Sequence, residues 1–131
     1  MSLTPLLMFV GQAEEAMNFY VSTFPNAEIL HIERYGPEDP DREGTVKVAI
    51  FRVLDETLRC IDSSDVHSFG FTPAVSFFID IDDETTFSTL FDRLSDHGSI
   101  LMPPDRYPFA DRFAWLNDRF GVSWQLSLSL K

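Results

Sequence analysis

Two hydrophobic periods succeed one another along this chain, and the succession occurs twice. Residues 6–10 (LLMFV) form a short apolar run of the kind that makes a buried strand. Gly11 and Gln12 come next, and then Met17, Tyr20, Val21 and Phe24 recur at the spacing of one helical face, predicting a helix over 13–24. Glu14 and Glu15 suit its first turn, where the positive end of the helix dipole favours acids, and Pro25 and Asn26 stop it. Seventy residues on, 76–81 (SFFIDI) is again strand-like, and Asp82 or Asp83 is placed to cap a helix. Phe87, Leu90, Phe91 and Leu94 repeat the spacing of 17, 20, 21 and 24. Gly98 supplies the expected left-handed stop.

The stretch after each helix reads as strand. In the first half the expected strands are 27–35, 45–54 and 57–62, with a polar loop at 36–44 and a turn at Asp55–Glu56. In the second they are 99–102, 112–116 and 122–129, around a proline-rich loop at 103–108. Each half is thus one strand, one helix and three strands. Repeat 1 spans about 3–64, a linker about 65–73, and repeat 2 about 74–129, within a single domain over 1–131. The fold class is α+β. A βαβββ unit cannot close its own sheet, so the pair is expected to form a curved, partly open barrel-like sheet with helices outside and a cleft inside.

Composition narrows the chemistry. Asp and Glu number 21 against 10 Lys and Arg, a formal net charge of −11. Such a surface repels phosphate backbones and acidic bilayers, so neither nucleic acid nor membrane is an expected partner. The single cysteine, Cys60, cannot form an intrachain disulfide. No apolar run approaches the ~20 residues of a membrane span and no signal pattern opens the chain, so a cytoplasmic address is expected.

Two βαβββ units bearing VGQAEEAMNFY (10–20) and NDRFGVSWQLS (117–127) make the chain resemble the vicinal oxygen chelate (glyoxalase/bleomycin-resistance/dioxygenase) superfamily. Within it the similarity is to the PhnB-like branch, labelled 3-demethylubiquinone-9 3-methyltransferase-like, over nearly the whole chain. The resemblance implies a homodimer. It also implies, in metal-using members, two His and one or two Glu facing the cleft. The positions it assigns to those ligands hold Pro5, Ser76 and Gln125, and those of a further His and Glu hold Val48 and Ile50. Proline, valine and isoleucine offer no side-chain ligand, and a glutamine is a weak one, so no metal is expected in the family position. The methyltransferase label lacks its own signature, because the six glycines form no glycine-rich strand-to-helix turn. No cofactor is expected.

The remaining candidates are aromatic or isolated polar groups. Gln125 is expected to face the cleft, with Trp124 on the opposite side in the core or a dimer interface. Phe9, Phe77 and Trp115, with Ile79, Phe109 and Phe113, are candidates for an apolar cleft wall or for ordinary core. Arg112, or Arg106, could clamp an anionic group at the cleft mouth, or pair with Asp105 and Asp111. Cys60 shares a strand face with Asp62 and has no base near it in sequence, which favours an inert thiol. Asp62, Asp65 and His67 form a D-x-x-D-x-H string open to a cation or to none. The expected ligand-binding set is therefore Phe9, Cys60, Asp62, Phe77, Arg112, Trp115 and Gln125. The function this favours is metal-free binding of a small, partly apolar ligand in an aromatic cleft. The alternatives are a lyase, isomerase or dioxygenase with a relocated metal, and a structural dimer with a collapsed cleft.

Overall fold

The computed structural model describes residues 1–129, and the chain divides between Phe69 and Gly70 into two compact units. The first contains β1 (Leu6–Phe9), α1 (Ala13–Thr23), β2 (Glu28–Arg34), β3 (Val46–Val53) and β4 (Glu56–Asp62). The second contains β5 (Ser76–Ile81), α2 (Glu84–Ser95), β6 (Ser99–Tyr107), β7 (Ala110–Asn117) and β8 (Ser123–Leu128). Both are βαβββ modules, so the expected duplication is present element for element. Their sheets have the same order, β1-β4-β3-β2 and β5-β8-β7-β6. In each, the first strand pairs parallel with the last and the other pairs are antiparallel.

Each helix lies on one face of its own sheet. In the first module Ala16, Met17 and Tyr20 are buried, and the Tyr20 ring stacks on Phe51 with centroids 6.3 Å apart. In the second, Phe87, Leu90 and Leu94 do the same work against the side of the sheet that carries Trp124 and Leu126. Full burial of side chains this size contributes about 2–3 kcal/mol each. The two helices begin differently. Asp83 caps α2 itself, its carboxylate accepting the Thr86 N–H at 2.8 Å, and this bond holds the Asp83 carboxyl below the usual range. Gln12 gives α1 no side-chain cap. A carboxylate from β4, Asp62, takes the Ala13 N–H instead, at 3.0 Å.

Three local expectations are corrected. The strand expected at 99–102 runs on through Pro103 and Pro104 to Tyr107, so the proline-rich segment is sheet rather than loop. It can be, because β6 is an outer strand and proline there forfeits a donor the sheet can spare. The register between Met102 and Asp105 slips across those two prolines. The left-handed residue after α2 is His97 (φ 59°), not Gly98. Gly98 is required by space instead, since a Cβ there would collide with the Asn117 carbonyl oxygen. Finally, the β3–β4 turn is Leu54–Asp55, with Leu54 left-handed (φ 57°). Asn26, from the end of α1, steadies it by donating to the Leu54 carbonyl and the Asp55 carboxylate.

Candidate functional site

Strand parity assigns every sheet residue to the face under a helix or to the helix-free face, and this sorts the expected site residues. Phe9, Cys60 and Asp62 fall under α1 and are buried, which corrects their placement in a cleft. Asp62 accepts three backbone N–H groups, from Gly11 (2.8 Å), Ala13 (3.0 Å) and Val46 (2.8 Å). It is a fastening between β4, the start of α1 and β3, and its oxygens are occupied. The Asp62–Asp65–His67 string does not converge: the His67 ring stacks on Phe69 at 4.6 Å. Among the described residues no three His, Cys, Asp or Glu side chains gather where they could hold a metal.

Cys60 has its sulfur 4.0 Å from the Ala13 carbonyl, and burial first, then the Asp62 charge, pushes the thiol up to about 12. A thiol with that value is about one part in ten thousand ionised at pH 8, against roughly a quarter for a free one. Iodoacetamide at that pH is therefore expected to leave native Cys60 unlabelled and to label it only after denaturation, read by mass spectrometry. Fast labelling of the native chain would contradict this. Because the folded value lies above the unfolded one, the stability linked to Cys60 is complete below about pH 8.5 and is lost as pH rises toward 12.

In the second module Phe77 and Arg112 also fall under the helix, a second correction. The Phe77 ring packs on Trp124 at 5.0 Å. Arg112 lies over the Phe87 ring at 4.9 Å and donates to Glu84 at 3.0 Å, so it is tied to α2 rather than held at a cleft mouth. Arg106 is exposed at the β6–β7 hairpin, 3.8 Å from Asp111.

Trp115 and Gln125 do share a face, the helix-free face of β5–β8, and the register across the four strands orders it into three rows. Ser76, Ser123, Asn117 and Ser99 make the first; Phe78, Gln125, Trp115 and Met102 the second; Asp80, Ser127, Phe113 and Asp105 the third. The first row is small and polar. The second sets one amide between two aromatic rings and a thioether. The third carries a carboxylate at each outer edge. None of the twelve is Lys or Arg. Gln125 donates its Nε2 to the Ser76 hydroxyl at 2.8 Å, and Trp115 Nε1 donates to the Ser123 hydroxyl at 2.8 Å. Phe113 is covered by the rings of Phe78, Tyr107 and Phe109, at 6.4, 5.7 and 4.9 Å. Among the described residues the buried Asn117 Oδ1 has no hydrogen-bond partner.

The corresponding face of the first module differs. One row across it reads Leu6, Arg59, Ile50 and His31, and Val48 stands opposite Glu33. Reading Phe77 as a wall residue misses Phe78, Asp80 and Asn117. The signal is available in the sequence, because Ser76 on the same face as Gln125 forces Phe78 and Asp80 to join them.

This donor set does not fit a metal. Val48 and Pro5 have no ligating atom, Ser76 and Gln125 are bonded to each other, and neither is anionic. The face is suited instead to hold a flat, partly apolar molecule by ring contacts and amide hydrogen bonds.

A family model described as 3-demethylubiquinone-9 3-methyltransferase matches residues 1–127. The solved PhnB protein of Bacillus cereus is 48% identical with a TM-score of 0.94, over 98% of this chain and 100% of that one. A glyoxylase/bleomycin resistance protein/dioxygenase domain from Frankia superposes with a TM-score of 0.67 at 12% identity, covering 98% of this chain and 92% of that chain. A fosfomycin resistance protein of Listeria monocytogenes, solved as a mutant with Mn(II) and a dihydroxypropylphosphonic acid, gives 0.63 at 10%, covering 96% and 90%. At those identities the last two speak for the fold alone. Among curated proteins nothing matches. Among the described residues no helix is long and apolar enough to cross a membrane.

Proposed function

The chain belongs to the PhnB-like 3-demethylubiquinone-9 3-methyltransferase family of the vicinal oxygen chelate superfamily, and from that premise we propose that it is a metal-free module binding a small, partly apolar molecule. The observation that carries this reading is the middle row of the β5–β8 face, where the Gln125 amide lies between Phe78 and Trp115 at the position the family resemblance gives to an anionic ligand. Glutamine there keeps a hydrogen-bonding group and gives up the charge a divalent ion needs.

Two further observations favour binding over catalysis. Cys60, Asp62 and Arg112, the polar groups a catalytic reading would use beside Gln125, are all engaged on helix-packed faces. The sheets are mixed and four-stranded, which is not the parallel α/β sheet with a glycine-rich turn that S-adenosylmethionine enzymes use, so methyl transfer is read as the family's description rather than this chain's activity. Assembly as a homodimer belongs to the same proposal. Large apolar side chains on the outer strands, Leu6, Phe78, Ile29 and Ile100, support it by remaining exposed in the single chain.

The test is elemental analysis after dialysis, followed by a thermal-shift screen of Zn, Fe, Mn and Ni salts and of small aromatic metabolites. The expected result is metal far below one equivalent, no shift with the salts, and a raised midpoint with some of the aromatics. A ligand at a hundred times its Kd adds about 2.7 kcal/mol to the native state, which such a screen detects. One tightly held equivalent of metal, or a shift produced by metal alone, would refute the proposal.

A further inference from the structure

We infer that the helix-free face of the first module carries a second binding site, at Arg59, for a small monoanion with a carboxylate head and an apolar body. This site is independent of the β5–β8 reading. The position of Arg59 is the first ground. On β4 the residues Leu58, Cys60 and Asp62 are buried under α1, so Arg59 and Ile61 belong to the other side of the sheet. β4 is an inner strand, and Arg59 stands between Leu6 on β1 and Ile50 on β3, with Met8 and Ile61 paired in the next row. Arg59 and Leu6 are exposed, and Met8, Ile50 and Ile61 are half-buried, so the guanidinium rises from an apolar field that is open to solvent. A charge at the middle of such a field, rather than at its rim, is uncommon without a partner.

The second ground is that nothing in the module neutralises it. Arg34, Arg42, Arg52, Arg106, Arg112 and Arg119 each have a carboxylate within 3.8 Å. Arg59 has none among the described residues, in a chain with 21 acidic residues against 10 Lys and Arg. The acids of its own face, Glu28 and Glu33, are both on β2, at 2.7 Å from Arg52 and 3.5 Å from His31. β2 is two strands away from β4, about 10 Å at the spacing of a sheet and beyond the screening length of about 8 Å. The third ground is the match between fork and head. A guanidinium presents parallel N–H donors that a planar carboxylate accepts in pairs, and Leu6 and Ile50 on either side cover an apolar body. One unmatched cation balances one negative charge, while a net charge of −11 sets the rest of the chain against a dianion. The row at the same place in the second module, Ser76, Ser123, Asn117 and Ser99, contains no cation, so the site belongs to the first module alone.

Two probes of one shape test this, the anion 4-phenylbutyrate and its neutral counterpart 4-phenyl-1-butanol, titrated into the full chain at neutral pH and followed by NMR. The acid is expected to move the Arg59 Nε–H and the methyl signals of Leu6 and Ile50 saturably, and to bind at least about fivefold more tightly than the alcohol. In Arg59→Gln the order should reverse, because only the net negative charge of the chain then acts on the acid. Arg59→Lys should keep a smaller preference for the acid, a point charge replacing the fork. Arg106→Gln, at an exposed arginine with Asp111 beside it, should leave the ratio unchanged. The Arg59 side chain is exposed, and its backbone N–H still donates to the Pro5 carbonyl in every variant, so the sheet is kept. Equal affinities for the two probes, no binding of the acid, or an advantage of the acid that survives Arg59→Gln would overturn this inference. Shifts confined to the β5–β8 face would overturn it too, while leaving the proposed function intact.

Discussion

Replacing Asp62 with alanine is expected to cost about 3–5 kcal/mol, the range for leaving several buried donors unmet, and so to consume much of the stability of a domain this size. The expectation rests on the groups the carboxylate holds. Gly11, Ala13 and Val46 present three N–H groups from a turn, a helix start and a strand, and each points at one of its two oxygens within 3.0 Å. Asp62 is 1% exposed, so water cannot replace it without opening the module. Its main-chain carbonyl also accepts from Tyr35, which the Arg42 guanidinium covers at 4.2 Å. Asp62→Asn keeps one acceptor oxygen and turns the other toward the donors as an NH₂, so a smaller loss of about 2–3 kcal/mol is expected. Urea unfolding followed by circular dichroism checks both. A loss below about 1 kcal/mol for the alanine variant would show that the three N–H groups find other partners.

Asp118 is the second. It lies in the β7–β8 turn, 3% exposed, where Oδ1 accepts the Phe120 N–H at 2.8 Å and the Val122 N–H at 3.1 Å, while Oδ2 accepts the indole N–H of Trp124 at 2.9 Å. Gly121 occupies the left-handed position (φ 90°) that lets the chain curl around this carboxylate. Asp118→Ala should cost about 3 kcal/mol and change Trp124 emission as its indole loses its acceptor. Asp118→Asn should recover part of the stability. Unchanged emission together with an unchanged midpoint would count against this account. The two modules thus use one device at different places: a buried carboxylate that gathers N–H groups which the strands and helices cannot satisfy.

Much of the fold is legible in the sequence because its evidence is local and repeated. Met17 and Tyr20 answer to Phe87 and Leu90 at one offset, and these four belong to the buried face of each helix. Structure and sequence part where a residue has two permitted roles and tertiary position chooses between them. Pro103 and Pro104 read as loop because proline cannot serve a central strand, and nothing local says that β6 is outermost. Gly98 reads as a left-handed stop when its requirement is a crowded carbonyl. The site is half legible. Alternation places Gln125 and Trp115 together on the helix-free face, and it is Phe78 and not its neighbour Phe77 that shares it, a difference of one residue that exchanges faces. Asp62 looks like a ligand because a lone acid in a strand carries no mark of the three distant amides that claim it.

The prolines of β6 bear on a hazard common to open sheets. An outermost strand ordinarily offers a continuous line of amides that a foreign polypeptide can copy, which is how ordered aggregates are seeded. Pro103 and Pro104 are adjacent, and since successive N–H groups of a strand face opposite ways one of the two removes a donor from that line, while the slipped register beside them spoils the repeat on either side. The segment that looked least like a strand is therefore a strand that cannot serve as a template.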